Sequence, residues 1–506
     1  MKKHYLQLVL SILLVQASIA QIAQPDTSFG DNGAVMADLN NHNDAAHDML
    51  QQPDGKFVVA GTGILQSYKQ FTVMRFNSNG SPDSTFGTNG QSVITVSAFN
   101  NYARAIARQP DGGLLIAGYY DNNWYNDPVV VRLDSSGIVD STFGINGMAK
   151  LVLTSSFDEF HDIAVQQDGK IIVAGRTYVN NNYDFLLMRL NVDGSVDSTF
   201  SNDGSVNIDF SGNDDCIYSL IIMPDGRFIV SGNTESGSSY FAAARLHADG
   251  SPDFSFGNGG KMIIGTGNRF DKCNGMALQT DSSIVLAGKY HNGPVDNYMI
   301  VRLTYDGQPD NSFGVNGVQL LPTTDADDIL NDVIIQPDGM ILLAGQGAGD
   351  EAMFMRLTAT GNPDPSFGIN GIYSGNMGGI KNELTSLLLL ADNSVIACGT
   401  TNQGVHEDFL LVKALSGTTA SIADHEQNEI TKIYPNPATD HITVSTEDDD
   451  AVDEINIYDG SGRKITGFAV QVGQDVDISL PVLSPGIYLL HVISGKKYSS
   501  QNFIIQ

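Results

Sequence analysis

Gln166-Gln167-Asp168-Gly169-Lys170-Ile171-Ile172-Val173-Ala174-Gly175 reads as a strand end, a tight Asp-Gly turn and a second apolar strand stopped by glycine. The stretch returns six more times. Its turn aspartate falls at Asp54, Asp111, Asp168, Asp225, Asp281, Asp338 and Asp392, in steps of 57, 57, 57, 56, 57 and 54 residues. A second turn, Asp-x-Ser/Thr-Phe-Gly in form, keeps the same step. Its phenylalanine is Phe29, Phe86, Phe143, Phe200, Phe256, Phe313 and Phe367. Two signals in lockstep over seven copies define an internal repeat array.

Within one unit, Gly90 to Gly147, the β-rich runs are 91–96, 101–108, 114–117 and 128–133, with glycine and asparagine at the corners and no helical period. Such a unit is an antiparallel meander. One four-stranded sheet cannot bury both faces alone, whereas seven stacked radially cover one another, which makes a β-propeller. An open solenoid would need dedicated caps at its ends, and none is visible.

The phase of the repeat argues for closure. The strand before the Asp-Gly turn is here the first, the one after it the second, the arginine-bearing one the third, and the one after Phe-Gly the fourth. The repeated body starts with a Phe-Gly turn and a fourth-type strand at 34–39, with no first, second or third strand before them. It ends with a first (383–389), second (395–399) and third strand (409–414) and no fourth. A ring whose N-terminal strand completes the seventh blade supplies each end with what it lacks and removes two exposed sheet edges.

Each third strand carries an arginine eleven residues before the turn phenylalanine: Arg75, Arg132, Arg189, Arg245, Arg302 and Arg356. Eight residues later stands an aspartate: Asp83, Asp140, Asp197, Asp253, Asp310 and Asp364. The pattern predicts an Arg–Asp pair pinning each turn, since the guanidinium suits partly buried bidentate pairing. A ring of cations for an anionic ligand is the competing reading. In the closing blade the same slots hold Lys413 and Asp26, which are therefore expected to meet.

Gln-Pro-Asp-Gly-Lys-Phe-Val-Val-Ala-Gly at 52–61 and Asp-Ser-Thr-Phe-Gly at 83–87 resemble the delta-60 repeat, a propeller-like repeat of exported bacterial proteins. The resemblance runs from about residue 24 to 415 and implies a fold, with no shared activity attached.

The whole chain carries 27 Lys+Arg against 57 Asp+Glu, a net charge of −30. Such acidity repels phosphate backbones, so no nucleic-acid partner is expected. It leaves room for Ca²⁺ without marking a calcium site, and no cofactor or metal is assigned. Cys216, Cys273 and Cys398 occupy unrelated repeat positions, as buried free thiols rather than a disulfide framework; a Cys216–Cys273 bridge between neighbouring blades is the alternative. Residues 1–20 have a basic start, a short apolar run and Ala17-Ser18-Ile19-Ala20 before Gln21, the form of a cleaved signal peptide. Cleavage removes two lysines and brings the charge to 25 − 57 = −32. No later stretch is apolar enough to span a bilayer, so an exported monomer is expected.

Residues 416–431 are polar and aperiodic, a linker between the propeller (21–415) and a module at 432–506 in which the 57-residue step stops. Short alternating strands at 441–445, 454–459, 477–480 and 487–493 predict a small antiparallel β-sandwich. Tyr434-Pro435-Asn436-Pro437, the turn Asp459-Gly460-Ser461-Gly462-Arg463 and Pro485-Gly486-Ile487-Tyr488-Leu489 resemble the type A C-terminal sorting domain of the type IX secretion system. The resemblance implies that outer-membrane secretion machinery is a partner of 432–506, and that the propeller is released or attached at the cell surface. Such domains often finish on a basic residue, whereas this chain ends Phe503-Ile504-Ile505-Gln506.

Between copies, the first–second and third–fourth turns barely change while the second–third loops vary, and binding resides on variable loops over a constant scaffold. Tyr119, Tyr120, Trp124, Tyr125, Tyr178, Tyr183 and Tyr290 are the candidate ligand face for a glycan or protein. Seven residues before each turn aspartate, where the first strand should line the central channel, stand His47, Arg104, His161, Tyr218, Asn274, Asn331 and Thr385, followed in three copies by Asp48, Asp162 and Asp332. The His-Asp pairs suit a metal or a general base, or simply a polar water-filled channel. No zinc-protease helix, nucleophile elbow or phosphate-cradling loop occurs, and no catalytic residue is assigned. The expectation is a non-catalytic binding or scaffold module; the alternative is a polysaccharide-acting propeller enzyme using channel-mouth carboxylates.

Overall fold

The computed structural model describes residues 24–39, 41–235, 237–267, 270–293, 295–321, 328–347, 349–375, 379–415, 431–434, 438–446, 454–458, 464–469, 475–480, 483, 486–494 and 497–505. The signal peptide expected at 1–20, nearly all of the expected linker, and the Pro435–Pro437 and Asp459–Arg463 parts of the sorting motifs lie outside them. The chain forms two compact units, Met1–Thr418 and Thr419–Gln506.

Among the described residues the first unit is all strand, in seven antiparallel sheets. Blade three is representative: Glu159–Val165, Ile171–Val179, Asn182–Leu190 and Ser205–Ile208 pair in chain order. The seventh blade is made from both ends of the body. Lys381–Leu389, Val395–Asn402 and Glu407–Leu415 are completed by Ala34–Ala37, with Ala34 opposite Val412 and Ala37 opposite Phe409. The protein is thus a seven-bladed β-propeller closed by its N-terminal strand.

The apolar alternation of each strand is buried between blades. Seven clusters fill the seven joints. The last unites Phe29, Met49 and Phe57 with Ile396, Phe409 and Leu411, so blade seven packs on blade one and the ring is shut. Each turn phenylalanine is at most 1 % exposed. In five blades the arginine guanidinium lies over it, 4.7 Å from the ring centroid for Arg75 on Phe86 and 4.9 Å for Arg245 on Phe256.

The second strands do not stop at the glycine, as the sequence had suggested. They run three or four residues further in most blades, as in Leu114–Asp121 and Ile284–Asn292. The glycine serves the neighbouring first strand instead. In every blade that strand shifts register by one residue, between Ala46 and Asp48, Phe160 and Asp162, or Ile217 and Ser219, for example. A Cβ on Gly175 would stand 1.9 Å from the Glu159 carbonyl oxygen, and one on Gly288 1.8 Å from that of Lys272. Only glycine lets the bulged backbone approach this closely.

The second unit forms a three-stranded sheet, Thr431–Tyr434, His441–Thr446 and Asp475–Ser479, and a four-stranded one, Lys464–Ala469, Glu454–Tyr458, Gly486–Ser494 and Lys497–Ile505. Ile442, Val444, Ile455, Ile457 and Leu490 share its core, as a small sandwich requires.

Candidate functional site

The residue skipped by each bulge is the one singled out seven places before the turn aspartate: His47, Arg104, His161, Tyr218, Asn274, Asn331 and Thr385. A bulge re-aims a side chain. All seven converge on one cavity of about 420 Å³, which Tyr119, Glu159, Arg176 and Lys272 complete.

Its two sides differ. On one, cations and rings interleave: Arg104 donates to the Tyr119 hydroxyl at 2.7 Å, Tyr119 stacks on Tyr102 at 4.8 Å, His161 abuts Tyr218 at 5.2 Å, and Lys272 lies 4.5 Å over Tyr218. On the other, amides and a hydroxyl bind one another and the backbone. Asn274 reaches Asn331 at 3.2 Å, Asn331 donates to Glu383 at 2.9 Å, and Thr385 donates to the Ala46 carbonyl at 3.1 Å. In a chain of net charge −30, three of its 27 Lys and Arg residues meet on this one lining.

Glu159 is the lining's acid, and it is engaged: Arg176 at 2.9 Å, His161 at 3.3 Å and the Asn126 amide at 2.7 Å. Burial alone would raise its pKa, yet these partners hold it at about 2. His47 is driven to about 3, first by burial and then by the Arg104 and Lys69 charges, so it is neutral. Burial opposes protonation of His161 too, but Cys216 and Glu159 hold it above its ordinary value.

One residue after the bulge on their strands, Asp48, Asp162 and Asp332 accept the N–H of their own successor at 2.7–2.8 Å and an N–H of the next blade: Ile106 at 2.8 Å, Leu220 at 2.6 Å and Leu387 at 2.7 Å. Burial, reinforced by the other two carboxylates, raises Asp162 to about 8; burial with the Asp48 charge raises Asp332 to about 7. These acids join inner strands, and none of the three lines the cavity.

The aromatic candidates do not form one face. Tyr119 and Tyr120 lie on the extended second strand, 7 % and 8 % exposed, and Tyr290 likewise at 4 %. Tyr119 lines the cavity; Tyr120 and Tyr290 are packed away from it. Tyr178 and Tyr183 face each other across a two-residue hairpin turn, Asn180-Asn181, both at positive φ. Arg176 sits over the Tyr183 ring at 4.5 Å. Only Trp124, 77 % exposed, and Tyr125 stand out at a loop. The second strands continue past the glycine and carry Tyr119, Tyr120 and Tyr290 into the sheet.

The Arg–Asp slots close as short pairs: 2.7 Å for Arg75–Asp83 and Arg189–Asp197, 2.8 Å for Arg245–Asp253 and 3.3 Å for Arg132–Asp140. Lys413 lies 2.9 Å from Asp26. The arginines also reach the next blade: Arg189 donates to the Ala248 carbonyl at 2.9 Å, and Arg245 to that of Tyr305. The three cysteines are buried and free, so no Cys216–Cys273 bridge exists.

One repeated residue escaped the sequence reading. Ten places before each turn aspartate stands Asp44, Asn101, Asp158, Asp215, Asp271, Asp328 or Asn382, each at most 1 % exposed. Asp158 accepts from Thr154 N–H at 2.9 Å, Thr177 hydroxyl at 2.7 Å and Tyr178 N–H at 3.1 Å, tying the incoming loop to the second strand. The seven-copy register alone would have found it.

This is a closed β-propeller with a cationic, aromatic channel mouth. Residues 52–86, 109–143, 166–200, 224–256, 279–313 and 336–367 match the family described as "Domain of unknown function (DUF5122) beta-propeller". Residues 432–506 match the "Secretion system C-terminal sorting domain". The chain therefore carries DUF5122 propeller repeats and a type IX secretion sorting domain, and is secreted to the cell surface or beyond. Six stretches match where seven blades stand because the seventh repeat is divided between the two ends of the ring. No curated protein matches the chain. Among solved structures, a catalytically inactive virginiamycin B lyase from Staphylococcus aureus with quinupristin is similar at 12 % identity and TM-score 0.45, over 75 % of this chain and 98 % of that one. Polysaccharide lyase Uly1 follows at 10 % and 0.42, over 77 % and 91 %, and Sqt1 from Chaetomium thermophilum at 11 % and 0.38, over 74 % and 96 %. None of the described helices is long and apolar enough to cross a membrane, for none is present.

Proposed function

We propose that the propeller is a non-catalytic binding module, and that its channel mouth takes an anionic group of an extracellular glycan or protein. The observation that carries this reading is the meeting of Arg104, Arg176 and Lys272 with Tyr119 and Tyr218 on one cavity. Guanidinium and ammonium donors beside aromatic faces suit a carboxylated or sulfated sugar, or an acidic peptide side chain. Against the enzymatic alternative, Glu159 is already neutralised by Arg176 and His161, and the channel aspartates bond backbone amides. A glycosidase-type site needs two carboxyl groups facing one pocket, one of them free to give a proton.

The test is binding of the full chain to uronate-bearing, sulfated and neutral glycans and to acidic peptides. Binding should be confined to anionic probes and weaken with salt. Arg104→Met and Lys272→Met should each cost about 10-fold in affinity, while Trp124→Ala leaves it unchanged. Equal binding of neutral glycans, or loss only in Trp124→Ala, sinks the reading; chain cleavage of a bound polysaccharide would favour the enzyme.

A further inference from the structure

At two blade joints three aspartates come together: the buried residue at the start of the first strand, one in the loop before it, and one on the third strand of the preceding blade. Between blades seven and one they are Asp408, Asp38 and Asp44; between blades three and four they are Asp184, Asp209 and Asp215. Within each trio the carboxylate oxygens lie within 4.8 Å of one another.

The trios are one site built twice. Asp44 and Asp215 stand ten residues before their turn aspartates, and Asp38 and Asp209 sixteen. Asp408 and Asp184 are paired across their hairpins with Thr401 and Thr177. Leu39 N–H donates to Asp44 Oδ2 at 2.8 Å, as Phe210 N–H does to Asp215 Oδ2 at 2.7 Å. Asn41 N–H donates to Asp38 Oδ1 at 2.7 Å, as Gly212 N–H does to Asp209 Oδ1 at 2.5 Å.

These bonds leave charge unanswered. Asp408 is 6 % exposed and Asp215 1 %, and Oδ1 of each is buried without a hydrogen-bond partner. Lys261 Nζ donates to the Asp209 carbonyl, 2.5 Å away, and its charge also acts on Asp184. The joint between blades one and two shows that the scaffold does not need acids here. Its three positions are Gln70, Thr95 and Asn101, and Asn101 donates to Gln70 Oε1 at 2.9 Å. Two neutral amides do there what three carboxylates do at the other joints.

The geometry points to a Ca²⁺-class cation held by each trio, tying the third strand of one blade to the first strand of the next. Carboxylate oxygen without imidazole or thiolate is the donor set of a hard divalent cation. The exposed Asp38 and Asp209 leave an entry path, and the unpartnered Oδ1 atoms of Asp408 and Asp215 supply free lone pairs.

The full chain, stripped with chelator, should bind two equivalents of Ca²⁺ by calorimetry. Its Tm should rise on the order of 5 °C at saturating Ca²⁺, with Mg²⁺ far less effective. Asp38→Asn and Asp209→Asn keep an oxygen for the Asn41 and Gly212 amides and remove a charge. Each should lose one equivalent, and the double variant should melt alike with Ca²⁺ or chelator. In chelator both should melt at or above the parent, because repulsion is relieved. Absence of Ca²⁺ binding, retention of both equivalents in the double variant, an equal response to Mg²⁺, or variants that melt below the parent in chelator would each overturn the assignment.

Discussion

Gly175 shows how a single residue can be read correctly as punctuation and wrongly as to what it punctuates. The repeated Ala-Gly is visible in the sequence, and glycine inside an apolar run suggests a strand end. The physical constraint lies elsewhere, in the Glu159 carbonyl 1.9 Å from where a Cβ would stand. Gly175→Ala must push the bulge away, and with it the His161 side chain. It should cost about 1–3 kcal/mol in urea unfolding and also weaken anionic-ligand binding; unchanged stability would show that the bulge yields freely. The arginines were legible for a different reason. Arg189 and Asp197 are eight residues apart, and charge at a fixed spacing is a sequence signal. The bond from Arg189 to the Ala248 carbonyl was not, because a backbone oxygen 59 residues away has no letter.

At the level of the strand, the first strand of each blade does three jobs: it opens on a buried Asp or Asn, bulges into the channel, and ends at the turn that carries the repeated aspartate. The bulged side chains were found from the sequence because one numerical offset served every copy. The buried Asp or Asn keeps one offset in the same way, but an acid beside a loop ordinarily reads as solvated. Burial is what separates Asp158 from the exposed loop acids, and burial is set by the neighbouring blade. Asp158→Ala leaves Thr177 and the Tyr178 and Thr154 amides without their acceptor. The expected cost is about 1.5–3 kcal/mol, with faster hydrogen exchange at Thr154 and Tyr178. Asp158→Asn should cost less, because Asn101 and Asn382 fill the same slot. Equal effects from Ala and Asn would deny the carboxylate its role as acceptor.

Closure of the whole ring was legible because the repeat begins and ends out of phase, and a strand missing at one end is present at the other. The cationic side of the channel mouth was not, because Arg176 and Lys272 join Arg104 there from single blades, at positions no repeat offset marks. The same convergence sets a pH response for the entire propeller. Asp48, Asp162 and Asp332 face one another in the channel, with Asp162 at about 8 and Asp332 at about 7, both above the usual carboxylate value of ~3.9. A folded-state carboxyl with raised pKa binds its proton more tightly than the unfolded chain does. Its contribution is therefore fully present below about pH 4 and declines as pH climbs through 7 to 8. The turn aspartates Asp83, Asp197 and Asp253 act oppositely. Burial would raise them, but partners including Thr85, Lys170 and Arg227 depress them, so their contribution holds above about pH 4 and is lost in acid. Thermal melts in chelator should therefore show greatest stability near pH 5, falling toward pH 8 and more steeply below pH 3. Asp162→Asn should flatten the alkaline side alone, since it removes one of the three facing charges and leaves every turn intact. A variant whose loss between pH 5 and 8 matched the parent's would place the source of that slope outside the channel.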